Sequence, residues 1–95
     1  MIQAIYKLFT HLQSALNPNQ KPDQVGTYQV NVISEVDKTY LLISRVLSFS
    51  SIIPSFIAFA EVHIIDGVMI TKLLPGADQR ELEFLSKALS KWNPE

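Results

Sequence analysis

The sequence predicts a single α+β domain over residues 1–95: an N-terminal helix, a four-stranded antiparallel meander and a C-terminal helix, with both helices on one sheet face. Three patterns support this fold. Apolar residues recur at steps of three and four at both ends of the chain, residues alternate between apolar and polar in the middle, and Asp66-Gly67 separates two apolar runs. The first pattern indicates amphipathic helices, the second indicates strands, and the third indicates a hairpin.

Composition limits the possible classes of function. The 95 residues fit one domain, and their formal net charge is −1 with the eight Lys and Arg residues scattered. Because a phosphate backbone is neutralised by a basic stripe, we expect no direct nucleic-acid binding by the monomer. The chain has no cysteine, which suits a cytoplasmic protein. The uncharged segment 46–60 is shorter than the roughly 20 residues of a membrane span and contains a proline, so we expect no span.

The predicted N-terminal helix covers Met1–Leu16 and ends at Asn17-Pro18, because the residue before a proline avoids the helical region. Its apolar stripe contains Ile2, Ile5, Phe9, Leu12 and Leu16. The last helix is expected to begin after Asp78, which forms a capping box with Glu81. Its buried stripe would contain Leu82, Leu85, Leu89 and Trp92. His11 has no partner in sequence and is interpreted as a solvated or rim histidine.

The first two strands are predicted at Val25–Val36 and Thr39–Ser48. The first alternates apolar and polar residues and is interpreted as an outer strand. In the second, Leu41 and Ile43 lie on one side, and Arg45 interrupts that side. We expect Arg45 to be a solvated or paired charge at a sheet edge, with anion binding as the alternative.

The third and fourth strands, Ser55–Ile65 and Val68–Leu74, are joined by Asp66-Gly67, which supplies the positive φ angles of a type I′ turn. That turn places Glu61 opposite Lys72. Regular alternation then predicts a core face with Phe56, Ala58, Ala60, Val62 and Ile64. The second face would carry Phe59, Glu61, His63, Ile65, Val68, Ile70, Lys72 and Leu74.

The second face is predicted to be a protein interface. Soluble monomers seldom leave so much contiguous apolar surface in water. A symmetric homodimer is the simplest way to cover it, since one patch then meets itself. The predicted interface consists of the eight residues of the second face together with Ile52 and Ile53, from the loop before the third strand.

Few residues could carry chemistry. The two histidines have no chelating partner at helical spacing, and the three glycines are too sparse for a phosphate-binding loop, so no metal or cofactor site is predicted. Glu61 and His63 form the only acid-base pair that is close in sequence and on one face. We interpret them as interface polar groups rather than a catalytic couple and expect no enzymatic activity.

Three hypotheses about function follow. The first is a small non-catalytic accessory, regulatory or inhibitor protein that acts through the apolar sheet face, as a homodimer or with another protein. The second is a binder of a small apolar ligand between sheet and helices, with Ile52-Ile53 as a lid, which requires an enclosed cavity of about 300 Å³ or more. The third is an enzyme that uses Glu61 and His63.

Two short motifs resemble a known family. Asp37-x-x-Tyr40-Leu41-Leu42, followed by His63-Ile64-Ile65-Asp66-Gly67 at a hairpin, is similar to the XisI family of small excision-controlling factors, as is the order of elements. The resemblance covers roughly residues 5–70, and the chain differs in ending with a helix. It implies a partner-dependent regulator of mobile DNA without catalysis of its own, and it assigns no functional residue.

Overall fold

The computed structural model describes residues 2–18, 28–46 and 55–92, which form an α+β fold. The elements are α1 (Ile2–Leu16), β1 (Tyr28–Ser34), β2 (Thr39–Val46), β3 (Phe56–Ile65), β4 (Val68–Leu73) and α2 (Gln79–Ser90). The strands make one antiparallel sheet in the order β1-β2-β3-β4. The predicted fold class is therefore confirmed, as is the prediction that β1 is an outer strand.

The first strand ends earlier than predicted. β1 stops at Ser34 because the N–H of Glu35 donates to the carbonyl of Lys38 at 2.8 Å and closes a turn. β2 is described up to Val46. The predicted segments 25–27 and 47–48, and the proposed lid Ile52-Ile53, lie outside the described residues.

Both helices pack on the same face of the sheet, called here the helix face. From α1 and α2 the buried residues are Ile5, Leu8, Leu12, Leu16, Leu85, Ala88 and Leu89. From the sheet they are Val30, Leu41, Ile43, Phe59, Ala60 and Val62. Burying each large apolar side chain contributes about 1.5–3 kcal/mol, so this single cluster is the main source of stability. The other side of the sheet is called the open face.

A β-bulge in β3 overturns part of the predicted division into faces. Ile43 pairs with Ala60 but Ser44 pairs with Ala58, so Phe59 is an extra residue without a partner on β2. Phe59 is consequently 1% exposed on the helix face, where its ring meets Tyr28 edge to face at 5.9 Å. The prediction of Phe59 on the second face is wrong.

The same bulge moves the residues that precede it. Phe56 and Ala58 were predicted in the core, but their pairing with Val46 and Ser44 puts them on the open face, and Phe56 is 48% exposed. An inserted residue shifts a strand by one position, which exchanges the two faces. Ala60 and Val62, which follow the bulge, lie in the core as predicted.

The β3–β4 hairpin has the predicted geometry. Asp66 has φ 52° and Gly67 has φ 79°, the two positive values of a type I′ turn. Ile65 pairs with Val68 and Glu61 pairs with Lys72. The register of this half of the sheet is therefore set by the turn alone.

Polar side chains fix the helices to the sheet and to each other. The Asn17 amide donates to the carbonyl of Tyr28 and accepts from its N–H, both at 3.1 Å, which joins the end of α1 to the start of β1. Nε2 of His11 donates to the carbonyl of Ala88 on α2 at 2.7 Å. His11 is thus a half-buried link between the helices, which agrees with the second of its two predicted roles, a rim residue, and not with the first, a solvated one.

At the N-terminus of α2, one of the two side-chain hydrogen bonds of the predicted capping box is present. The Asp78 carboxylate accepts from the N–H of Arg80 at 2.8 Å. The Glu81 side chain does not accept the second hydrogen bond, from the N–H of Asp78, because it pairs with Arg45 on β2. Arg45 is therefore a paired charge, as predicted, but it lies on an interior strand instead of a sheet edge. Neither described helix is long and apolar enough to cross a bilayer.

Candidate functional site: the open face of the sheet

The open face brings together residues of all four strands. Pairing between neighbouring strands places Ile33 opposite Tyr40 and His63 opposite Ile70. Tyr40 in turn lies beside His63, so these four side chains form one row across the sheet. The parallel row runs through Asn31, Leu42, Glu61 and Lys72. Polar and apolar residues are thus mixed in a fixed pattern on this face.

One end of the open face is apolar and exposed. Ile65 is 52% exposed, Val68 59% and Ile70 45%. The three residues are neighbours because Ile65 pairs with Val68, and Ile70 lies two residues further along the same side of β4. We call them the apolar strip. Scattered single apolar residues are normal on protein surfaces, but a contiguous group marks an interaction site.

The middle of the open face holds a network of polar and aromatic groups, called here the polar cluster. Nε2 of His63 donates to Oε1 of Glu61 at 2.9 Å. The His63 ring stacks on Tyr40 with centroids 4.6 Å apart, and the Tyr40 hydroxyl donates to Glu35 at 3.2 Å. Nζ of Lys38 lies 5.4 Å from the centre of the Tyr40 ring. Each member is therefore held by at least one neighbour, which fixes the cluster in place.

The electrostatics of the polar cluster favour an uncharged tyrosine. Partial burial, followed by the negative charge of Glu35, raises the pKa of Tyr40 above its ordinary value near 10. A further contribution comes from the hydrogen bond to Glu35, which holds the hydroxyl proton. Tyr40 therefore acts as a hydrogen-bond donor throughout the physiological range.

The Glu61–His63 pair has part of the geometry of an acid-base couple. The Glu61 carboxylate accepts a hydrogen bond from Nε2 of His63. The two side chains are only 15% and 17% exposed, and the His63 ring is covered by Tyr40. Glu61 is opposite Lys72 in register but contacts His63 instead. The pair is better placed to stabilise the face than to reach a substrate.

Two hollows adjoin the sheet. A groove of about 220 Å³ lies between β4 and α2 and is lined by Thr71, Leu73, Leu82, Leu85, Ser86 and Leu89. A depression of about 610 Å³ lies at the end of the sheet, where the β1–β2 turn meets His63, Ile64 and Ile65. Ligand pockets are typically about 300–1,000 Å³ and largely enclosed. The groove is below that range, and the depression is a surface feature beside the polar cluster.

The structure brings most of the predicted interface together. Six of its residues share the open face: Glu61, His63, Ile65, Val68, Ile70 and Lys72. Leu74 is half-buried just after β4, and its N–H donates to the carbonyl of Phe59 at 3.0 Å. Phe59 itself is in the core, and Ile52 and Ile53 lie outside the described residues.

The sequence interpretation missed the part of the site that β1 and β2 contribute. Tyr40, Lys38 and Glu35 join His63 only because β2 pairs with β3. A signal was present, since Tyr40 alternates with the buried Leu41 and so belongs to the open face. In residues 2–18, 28–46 and 55–92, no three His, Asp or Glu side chains come together in a way that could hold a metal ion.

Comparison of the chain with protein-family models, with curated proteins and with solved structures gave no match. The open face is therefore the basis on which a function can be proposed.

Proposed function

We propose that this chain is a small non-catalytic accessory, regulatory or inhibitor protein that acts in the cytoplasm through its open face, as a homodimer. The observation that carries the proposal is the exposure of Ile65, Val68 and Ile70 side by side, on a face with no helix of the described chain over it. A protein surface that covers the strip would remove this apolar area from water.

The apolar strip supplies a driving force for association. Covering several hundred square ångströms of apolar surface on each partner contributes on the order of 10 kcal/mol at roughly 25 cal/mol per Å². Association costs about 4–15 kcal/mol in lost freedom and ordered side chains. The gain and the cost are of the same order, so the strength of self-association is decided by measurement.

The polar cluster fits the rim of such an interface. Aromatic residues and paired charges around an apolar centre are typical of protein–protein interfaces. His63, Glu61 and Tyr40 are already held by one another, so little side-chain entropy is lost when a partner approaches. The resemblance to the XisI family supports the same class of function, a regulator that depends on a partner.

Binding of a small apolar ligand is the second candidate. The groove between β4 and α2 favours it because its lining is mainly leucine. Its volume of about 220 Å³ is small for a ligand site, which places this candidate behind protein binding. Catalysis by Glu61 and His63 comes last, since both side chains are largely covered.

Sedimentation tests the proposal. We expect the wild-type chain to run larger than a monomer at tens of micromolar, and Ile70→Lys to shift it to a folded monomer, because a charge in the apolar strip cannot be buried cheaply. Asn31→Lys is the matched control, since it adds the same charge to an exposed position of the open face outside the strip.

Asn31→Lys should sediment as the wild type does. A wild-type chain that is monomeric at these concentrations, with Ile70→Lys indistinguishable from it, would exclude self-association. Such a result would leave a foreign protein as the partner of the open face.

A further inference from the structure

β4 is an edge strand that is only partly covered, since Met69 packs against the core and the rest of the strand is exposed. It pairs with β3 on one side and has no neighbouring strand on the other in the described sheet. Thr71 and Leu73 point to the helix face, yet both are exposed, Leu73 by 54%. On the open face Val68, Ile70 and Lys72 are exposed as well. An edge strand that exposes apolar side chains on both faces is a ready template for another strand.

The hairpin turn decides which backbone groups of β4 are free. In a two-residue hairpin the residues that flank the turn, here Ile65 and Val68, exchange hydrogen bonds, and every second residue after them does the same. The bond from the N–H of Leu74 to the carbonyl of Phe59 fits this alternation. The remaining residues of β4 point their N–H and C=O groups away from the sheet. These residues are Met69, Thr71 and Leu73.

The other edge of the sheet is less suited to accept a strand. β1 is packed under α1, and its Val30 is 1% exposed in the core. On the open face β1 carries the polar residues Gln29 and Asn31 and one apolar residue, Ile33, which is half-buried. Apolar surface that lacks a cover is therefore concentrated at β4.

We propose that β4 is the seam of the homodimer: the β4 strands of two copies pair antiparallel about a two-fold axis at Thr71 and join two sheets into one. The inference rests on the proposed function in taking the second copy as the partner, and it narrows the contact from the whole apolar strip to the two strip residues on β4, Val68 and Ile70, with Ile65 on β3 outside it. Met69 then exchanges hydrogen bonds with Leu73 of the second copy, and Val68 comes opposite Leu74 of the second copy. All free backbone groups of β4 and its exposed apolar side chains gain a partner.

Charge and strand length favour this register over registers with the axis one residue away. An axis at Lys72 would set two lysines directly opposite each other, which is unfavourable. An axis at Ile70 would leave Leu73 without a residue opposite it in β4 of the second copy. With the axis at Thr71, each Lys72 faces Ile70 of the second copy and keeps Glu61 beside it in its own sheet.

The helix side of the seam is self-complementary too. Thr71 and Ser86 line the same groove between β4 and α2, so α2 lies near the axis. The exposed flank of α2 carries Glu83 and Lys87. A two-fold axis makes the two α2 helices antiparallel, an arrangement in which the opposite charges of Glu83 and Lys87 are complementary. The net charge of −1 per chain adds little repulsion.

Cross-linking tests the seam directly because the chain has no cysteine of its own. Thr71→Cys should give a disulfide-linked dimer on mild oxidation, since the two residues face each other at the axis. The matched control is Asn31→Cys on the opposite edge strand, which should stay uncross-linked. A mixture of Met69→Cys and Leu73→Cys chains should cross-link more than either chain alone, which tests the register.

A second pair of variants separates the seam from the open face. Thr71→Pro removes an N–H that points away from β3, so the monomer should fold and the dimer should be lost in sedimentation. Ile65→Lys, on the open face away from the edge, should remain dimeric. Should Thr71→Pro fail to fold, the cysteine experiments decide alone.

Two results would overturn the inference in different ways. If wild type is a dimer that Ile65→Lys dissociates, and Thr71→Cys does not cross-link, the copies meet face to face; the seam is then wrong and the proposed homodimer stands. If wild type is monomeric at tens of micromolar and Thr71→Cys stays uncross-linked, both the seam and the homodimer are wrong. Binding of an apolar fluorescent probe to a monomer, lost in Leu73→Lys, would then assign the groove to a ligand.

Discussion

Arg45 on β2 and Glu81 on α2 form an ion pair on the helix face, which joins α2 to the sheet. The Glu81 side chain is 7% exposed and that of Arg45 29%. One carboxylate oxygen of Glu81 bonds to Arg45, and the other is buried without a hydrogen-bond partner in the described structure. The pair therefore depends on both members being present.

Removal of Arg45 should be costly. Arg45→Met leaves the Glu81 carboxylate buried without its counter-charge, and we expect the free energy of unfolding to fall by about 2–3 kcal/mol, somewhat less than for a fully buried pair. Urea denaturation measures this change. Arg80→Met, at an exposed position of the same helix, is the control and should change stability by no more than about 0.5 kcal/mol.

The double variant Arg45→Met, Glu81→Met should recover most of the loss, because a buried ion pair is often replaceable by apolar residues of similar volume. If Arg45→Met alone matches the wild type in urea, the ion pair contributes nothing and α2 is held by its leucines.

The turn at Gly67 gives a second prediction. A β-carbon at this position would meet no atom within 4 Å, so any cost of substitution comes from the backbone φ of 79°. Gly67→Val should lower the free energy of unfolding by more than about 1 kcal/mol, because a β-branched residue resists positive φ. Gly67→Asn is the matched control and should be close to neutral, since asparagine tolerates this region. Equal melting temperatures for the two variants would contradict the type I′ turn.

The alkaline stability of the protein should depend on Tyr28. Burial, followed by the negative charge of Glu81, raises the pKa of Tyr28 above its ordinary value near 10. Between the unfolded and the folded pKa, the unfolded chain has lost the proton that the folded chain keeps, so stability falls as the pH rises. Below about pH 10 both states hold the proton, and Tyr28 makes its full contribution to the free energy of unfolding.

Urea denaturation between pH 8 and pH 11 tests this dependence. Tyr28→Phe should lose less stability over that range than the wild type does, since it has no hydroxyl to ionise. Tyr6→Phe removes an exposed tyrosine and should follow the wild-type curve. Parallel curves for the wild type and Tyr28→Phe would show that Tyr28 does not contribute.

Much of the candidate site followed from local pattern. Asp66-Gly67 determines its own turn, and a two-residue turn leaves one register for β3 and β4. The sequence by itself therefore assigned six residues of the site to one face: Glu61, His63, Ile65, Val68, Ile70 and Lys72. The two helices followed in the same way, because a stripe of period 3.6 needs only neighbouring residues to define it.

The features that only the tertiary structure decided involve residues far apart in the chain. The bulge at Phe59 arises where β3 meets β2, and it buries an aromatic ring that simple alternation places on the other face. Glu81 could have completed a local cap, but it pairs with Arg45 across the core. The stacking of Tyr40 on His63 likewise exists only after the strands pair. Periodicity in the sequence shows which side of a helix or strand is apolar. Bulges, ion pairs and stacked rings depend instead on how segments that are distant in the chain pack together, and periodicity holds no information about that packing.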